Sequence, residues 1–214
     1  MRFLLMANGE YGELEWYRPF KDDFDRIICI DGGTDRAMAL GITPWRVVGD
    51  MDSISEEARA YATSLGAAFT VVPREKDNTD FQLALELAQK AGAGSIVVWG
   101  GTGTRLDHSL SNLFSATSLV LQGIEVCFCS PREYVYLVSR HLVLPGKVGD
   151  TVSLITVGDE AGGVTLRGFQ YPLDNAVLDG RWQCAVSNVI VEPNPEVTVG
   201  SGVVAVIHYH GELP

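Results

Sequence analysis

The first 130 residues alternate short apolar runs with stretches of helical spacing. Arg2–Met6, Arg26–Ile30, Arg46–Val48, Ala68–Val72, Ser95–Trp99 and Glu125–Cys129 read as strands, and the first five run into loops of polar or glycine residues. Between them, Asp35–Leu40, Ser55–Leu65, Asp80–Ala91 and Asp107–Leu121 read as helices. Phe81, Leu85 and Ala88 fall at i, i+4, i+7 on one face, as do Leu110, Phe114 and Thr117. Thr79 or Asp80 is placed to cap the third helix and Asp107 the fourth. Strands alternating with helices predict a mostly parallel sheet covered on both faces, a Rossmann-like α/β sandwich. Ligands of such sheets bind beyond the carboxyl ends of the strands.

The pattern changes near Ser130-Pro131-Arg132. From Tyr134 onward no long helical stripe occurs. Val135–Val138, Thr151–Thr156, Gly163–Leu166, Val186–Val191, Glu196–Val199 and Val203–His208 predict strands, divided by turns such as Pro145-Gly146, Gly162-Gly163 and Asn194-Pro195. The expected organisation is an α/β domain at 1–130 and an all-β sandwich at 131–214. A sheet this small has edges to protect, and pairing with another subunit does so.

Composition narrows the class. The 214 residues suffice for one large domain or two small ones, and the net charge is −11. That charge argues against nucleic-acid binding through a basic surface. It leaves room for an anionic nucleotide held by metal ions and a few placed cations. No apolar run reaches the ~20 residues of a membrane span. Met1–Ala7 is too brief for a signal peptide and reads as a buried first strand. Cys29, Cys127, Cys129 and Cys184 lack zinc or redox spacing and read as small buried hydrophobes of a reducing, cytoplasmic compartment.

Five acidic residues at strand ends carry the chemistry: Asp31 of Asp31-Gly32-Gly33, Asp50 and Asp52 of Gly49-Asp50-Met51-Asp52-Ser53, and Asp77 and Asp80 of Lys76-Asp77-Asn78-Thr79-Asp80. Carboxylates that converge without partners are costly unless they hold a cation. Oxygen-only ligands suit Mg²⁺, which is usually bound by one or two carboxylates together with substrate phosphates. The Lys76–Asp80 run opens a helix, where backbone N–H groups and the helix dipole favour phosphate. Gly100-Gly101-Thr102-Gly103-Thr104-Arg105-Leu106-Asp107-His108 follows another strand. Its glycines allow close backbone approach, and Arg105 offers a two-pronged phosphate grip. Gly-x-x-x-x-Gly-Lys-Ser/Thr is absent, which excludes a P-loop kinase. No Gly-x-Gly-x-x-Gly follows the first strand, which lowers the dehydrogenase reading.

Taken in order, these runs, then Asn112 and finally Ser187-Asn188 in the β-domain, resemble the thiamine pyrophosphokinase family over almost the whole chain. The resemblance implies transfer of a pyrophosphoryl group from ATP to thiamine, giving thiamine diphosphate and AMP. It implies Mg²⁺ on Asp50, Asp52 and Asp80, and a phosphate site lined by Lys76, Asp77 and Thr79. It implies Arg105, Asp107 and His108 facing the nucleotide with Asn112 nearby, Asp31-Gly32-Gly33 and Gly100-Gly101 about the same pocket, and Ser187 and Asn188 on thiamine. It further implies a homodimer with its active sites at the subunit interface. Some relatives stack thiamine on a tryptophan in the last strand; here that stretch is Val203-Val204-Ala205-Val206-Ile207, and Trp182, Tyr171 and Tyr209 stand as alternatives. Asp77 or one of the metal-binding pair is expected to accept the alcohol proton. Two other readings stay open: a related pyrophosphokinase acting on another alcohol such as a hydroxymethylpterin, and a non-catalytic nucleotide- or thiamine-binding protein. His208 and His210 read as partly exposed strand histidines, and Asp174, Asp179 and Arg181 as loop decoration.

Overall fold

Asp31, Gly49 and Gly100 each leave a strand with positive φ, so the chain turns sharply where the acidic and glycine runs begin. The computed structural model describes residues 1–73, 75, 77–103 and 105–210. In chain order its elements are β1 (Arg2–Met6), a 3₁₀ helix (Leu14–Phe20), β2 (Arg26–Ile30), α1 (Gly33–Leu40), β3 (Arg46–Gly49), α2 (Glu56–Ser64), β4 (Ala68–Val71) and α3 (Asp80–Lys90). Then come β5 (Ser95–Trp99), α4 (Leu106–Leu121), β6 (Glu125–Cys129), β7 (Glu133–Val138), β8 (His141–Val143), β9 (Thr151–Thr156) and β10 (Glu160–Arg167). β11 (Leu173–Asp179), β12 (Asn188–Val189), β13 (Glu196–Thr198) and β14 (Val204–Tyr209) complete the chain. The structure divides into two compact units, Met1–Ser115 with Phe128–Pro131, and Ala116–Cys127 with Arg132–Pro214.

In the first unit β4, β3, β2, β1 and β5 lie side by side in that order, every pair parallel. The chain works outward from β1 through β2 to β4, then returns to place β5 on the other flank of β1. Strand order therefore reverses between β1 and β5, and a crevice opens at such a switch point. The sheet strands are apolar on both faces, as a covered parallel sheet requires. Leu4, Met6, Cys29, Val47, Val97 and Trp99 pack with Ala37 and Leu40 of α1 and Ala62 of α2. Each fully buried large apolar side chain contributes about 1.5–3 kcal/mol.

Helix starts follow the capping chemistry with two changes. Ser55 caps α2 by accepting the Ala58 N–H, and Thr79, not Asp80, caps α3 in a reciprocal box with Gln82. α1 begins at Gly33, two residues before the expected Asp35, because Gly33 lies so close to the Met6 carbonyl that a Cβ would collide with it. Asp107 stands inside the first turn of α4 and does not cap it. The expected core stripe of α3 is buried through Phe81, Leu85 and Ala88. That of α4 is not: Leu110 and Phe114 are 46% and 54% exposed, beside Leu106 and Leu121 at 68% and 59%. α4 is apolar on more than one face and buries Ala116, Leu119 and Val120 instead. Periodicity alone does not say which apolar face turns inward.

The second unit is a sandwich of antiparallel strands. β12, β9, β14 and β7 lie in one row and β11, β10, β13 and β8 in another. Val152, Leu154, Val204 and Val206 from the first row meet Val164, Leu166, Leu178 and Val197 from the second. Two expectations are corrected here. Asp174 and Asp179 belong to the edge strand β11, whose exposed face is polar enough to pass for a loop. His208 is 2% exposed, not partly exposed, because its Nε2 meets Asp150 Oδ2 at 2.8 Å.

Candidate active site

A cleft of about 900 Å³ opens in the first unit at the carboxyl ends of the parallel strands. Its floor is the pair of loops at the switch point, Ala7–Glu10 after β1 and Gly100–Gly103 after β5. Those loops are laced together: Gly9 N–H donates to the Gly100 carbonyl at 2.9 Å and Glu10 N–H to the Thr102 carbonyl at 3.2 Å. The Tyr11 hydroxyl donates to the Ala7 carbonyl at 3.0 Å from beneath. Gly100 has φ 64°, and a side chain there would strike the Tyr11 ring. A larger residue is therefore excluded twice, by backbone conformation and by space.

Asp31, Asp50, Ser53, Thr79 and Asp80 form one wall. Asp31 is the hinge of this wall. Its Oδ1 accepts the Met51 N–H at 3.1 Å, and Gly49 lies against the same carboxylate so closely that no Cβ fits. Asp50 Oδ1 in turn accepts the Asp52 N–H at 3.0 Å, which tightens the turn. Burial pushes the Asp31 carboxyl up to about 6; Asp80, Asp50 and Asp52 push the same way, against the Met51 hydrogen bond. The acidic residues of three strand ends thus share one electrostatic field. Among the described residues no three His, Cys, Asp or Glu side chains are gathered tightly enough to hold an ion unaided.

The opposite wall is the start of α4. Arg105 grips Asp107 with both prongs, Nε to Oδ1 at 2.9 Å and Nη2 to Oδ2 at 2.6 Å. This hydrogen bond holds the Asp107 carboxyl well below the usual carboxylate range and raises the Arg105 guanidinium further. Both side chains are exposed, so the pair stabilises the fold little. Asn112 Nδ2 donates to the Gly101 carbonyl at 2.7 Å, and Ser109 Oγ accepts the Gly103 N–H at 3.1 Å. The helix thereby fixes the glycine loop from below.

Of the residues singled out in the sequence, Asp31, Asp50, Thr79, Asp80, Gly100, Gly101, Arg105, Asp107, His108 and Asn112 line this one cleft. Asp52 and Asp77 are exposed beside it and are not part of its lining. Gly32 and Gly33 stand behind it, packed on the Asn8 side chain and the Met6 carbonyl. Lys76 and Thr104 lie outside the described residues. Ser187 and Asn188 belong to the second unit. There the Asn188 side chain accepts the Tyr171 N–H at 3.0 Å and donates to its carbonyl at 2.8 Å. Tyr171 and Trp182 are both strongly exposed, while Tyr209 is half-buried. Asn8, Glu10 and Ser111 also line the cleft and were missed in the sequence; Ser53 and Asn78, inside two of the acidic runs, line it as well without having been given a role. For Asn8 and Glu10 the available signal was topological: they follow the strand at which the order reverses.

Comparisons with known proteins bear on the same residues. The family model described as "Thiamin pyrophosphokinase, catalytic domain" matches residues 17–128, and "Thiamin pyrophosphokinase, vitamin B1 binding domain" matches 140–204. A thiamine pyrophosphokinase of Bacillus subtilis (strain 168) is 27% identical over 205 residues, covering 95% of this chain and 96% of the relative. Thiamine pyrophosphokinase 1 of Oryza sativa subsp. japonica is 25% identical over 204 residues, covering 83% and 76%. The crystal structure of the Bacillus subtilis enzyme superposes with TM-score 0.85 at 24% identity, covering 98% of this chain and 99% of that one. That of thiamin pyrophosphokinase from Candida albicans gives 0.79 at 16%, covering 97% and 88%; at these identities the likeness is one of fold. With both domain models matched in order along the sequence, the chain belongs to the thiamin pyrophosphokinase family.

Proposed function

We propose that this chain transfers a pyrophosphoryl group from ATP to thiamine, joining the hydroxyethyl oxygen to the β-phosphorus and releasing AMP. The observation that carries the reading is the order of the two domain matches, with the acidic wall inside the first of them. Relatives named thiamine pyrophosphokinases span nearly the whole chain, and no feature favours a pterin alcohol or a purely binding role.

The cleft supports a division of labour. Asp50 and Asp80, with Asp52 beside them, would hold Mg²⁺; these are hard oxygen donors, and their charges add to burial in raising the Asp31 carboxyl. Bound there with ATP, Mg²⁺ supplies neutralisation of charge on the phosphate oxygens. Asp31 holds the Asp50–Asp52 turn in place. Thr79 caps the N-terminus of α3 in the cleft lining, and a helix start there favours phosphate. Arg105 exchanges Asp107 for a phosphate, or carries Asp107 towards a ribose hydroxyl, and Lys76 of the Lys76–Asp80 run supplies a further positive charge. His108 and Asn112 complete the nucleotide side, with Gly100 and Gly101 giving close backbone approach. Asp77 or one of the metal-binding carboxylates takes the alcohol proton.

Residues 1–130 serve as the catalytic domain and 131–214 as the thiamine-binding and dimerisation domain, with Ser187 and Asn188 towards thiamine. The exposed apolar face of α4 supports a homodimer with active sites at the interface. Cys29, Cys127, Cys129 and Cys184 form no disulfide, although only Cys29 is buried as expected; this supports a cytoplasmic setting, and no helix among the described residues is long and apolar enough to cross a membrane. Asp50→Asn and Asp80→Asn test the core of this assignment. Each is expected to lower thiamine-dependent AMP release by roughly two orders of magnitude or more at saturating Mg²⁺ while the circular dichroism spectrum is kept. Turnover like that of the parent protein in both variants would remove the metal assignment.

A further inference from the structure

The second unit holds an ionisable pair, one member buried and the other partly exposed, that plays no part in the cleft. His208 on β14 is 2% exposed, and its Nε2 lies 2.8 Å from Asp150 Oδ2. Its Nδ1 is buried and has no hydrogen-bond partner among the described residues, so Asp150 is the polar tether of the ring. Gly146 closes over the ring, where a Cβ would collide with Ile190 and come 3.2 Å from His208 Nε2. The same Asp150 Oδ2 accepts the Lys147 N–H at 2.8 Å. A buried ring held by one polar partner in this way is stabilised only while that geometry is kept, which makes it a rigid point.

What hangs from that point is the segment Ser187–Ile190. The Asp150 carbonyl accepts the Ile190 N–H at 3.0 Å, and Gly149 N–H donates to the Ile190 carbonyl at 2.9 Å. Thr151 and Val152 pair with Val189 and Asn188, and Ser153 Oγ accepts the Ser187 N–H at 3.0 Å. β12 is a two-residue strand at the edge of its row, with little ladder of its own. Ser187 is held at φ 56°, a left-handed conformation that a non-glycine residue keeps only when its surroundings impose it. Asn188 then clamps the backbone of the exposed Tyr171. An anchored residue, a strained serine and a clamped aromatic thus form one connected edge.

We propose that Asp150 and His208 are positioning residues that hold the Ser187–Asn188 edge in register and so set the affinity for the acceptor alcohol without touching it. This rests on the reading that the edge contacts thiamine. In Asp150→Ala, the KM for thiamine is expected to rise about tenfold, the effect of about one hydrogen bond's worth of misplacement, with kcat and the KM for ATP within about twofold of the parent. Asp150→Asn keeps an oxygen for the ring N–H and should restore most of the difference. Backbone amide exchange at Ser187–Ile190 should quicken about tenfold in Asp150→Ala and stay unchanged in the Gly100–Gly103 loop. His208→Gln serves the same comparison if Asp150→Ala does not fold. Unchanged exchange at Ser187–Ile190 overturns the anchor. Faster exchange with an unchanged KM for thiamine overturns the link to the acceptor. Absence of thiamine-dependent turnover in the parent protein overturns the proposed function instead, and the exchange result alone then decides the anchor.

Discussion

Asp31 concentrates the electrostatics of the cleft in one side chain. It is nearly buried, braces the Met51 amide, and stands in the field of three other carboxylates. Its proton is therefore held more tightly in the folded chain than in the unfolded one. The sign follows: the stability linked to that proton is complete below the ordinary carboxylate range and is lost as pH rises through about 6. Asp31→Asn keeps an oxygen for Met51 and has no such proton to lose. In metal-free buffer its melting temperature should match the parent below about pH 4 and exceed it at neutral pH. A difference independent of pH would contradict the buried-carboxylate account. Asp150 has the opposite sign. Burial works to raise its carboxyl, but the Lys147 N–H and His208 outweigh it and hold the group below its ordinary value. Its contribution is present above the ordinary carboxylate range and fades as pH falls through the depressed folded value.

Among elements, α3 and α4 present the cleft and also mark the limit of pattern reading. Thr79 and Gln82 close a reciprocal cap at the mouth of α3, directly before Asp80. Thr79→Ala should cost about 1 kcal/mol of stability by denaturant unfolding, and more in activity than a remote change of equal cost, because Thr79 lines the cleft next to Asp80. An activity loss no larger than that of a remote control would place Thr79 outside the site. Strand and helix existence in the first unit was legible because the apolar runs are short and bounded. The α1 start was not, since it depends on Gly33 meeting a carbonyl of β1. Nor was the inward face of α4, where Leu110 and Phe114 are exposed although their spacing is that of a core stripe. If the proposed dimer forms through this face, Leu110→Glu with Phe114→Glu should yield a monomer in sedimentation, and a parent protein already monomeric would contradict that proposal.

At the scale of the molecule, the strand order decides where chemistry is possible. Reversal between β1 and β5 opens one crevice, and the acidic turns after β2 and β3, the capped start of α3 and the glycine loop after β5 all end there. Asp50, Asp80 and Arg105 were legible in the sequence because charge at a strand end needs an explanation. Asn8 and Glu10 were not, because their place depends on which strand β5 joins. The central claim is that this cleft moves a pyrophosphoryl group as one piece to thiamine. The direct measurement is a product analysis with ATP, Mg²⁺ and a panel of alcohols including thiamine and a hydroxymethylpterin. AMP and thiamine diphosphate forming in equal amounts, with thiamine alone driving ATP consumption, is the predicted result. ADP as the nucleotide product, or ATP left intact with thiamine while another alcohol is consumed, would contradict it.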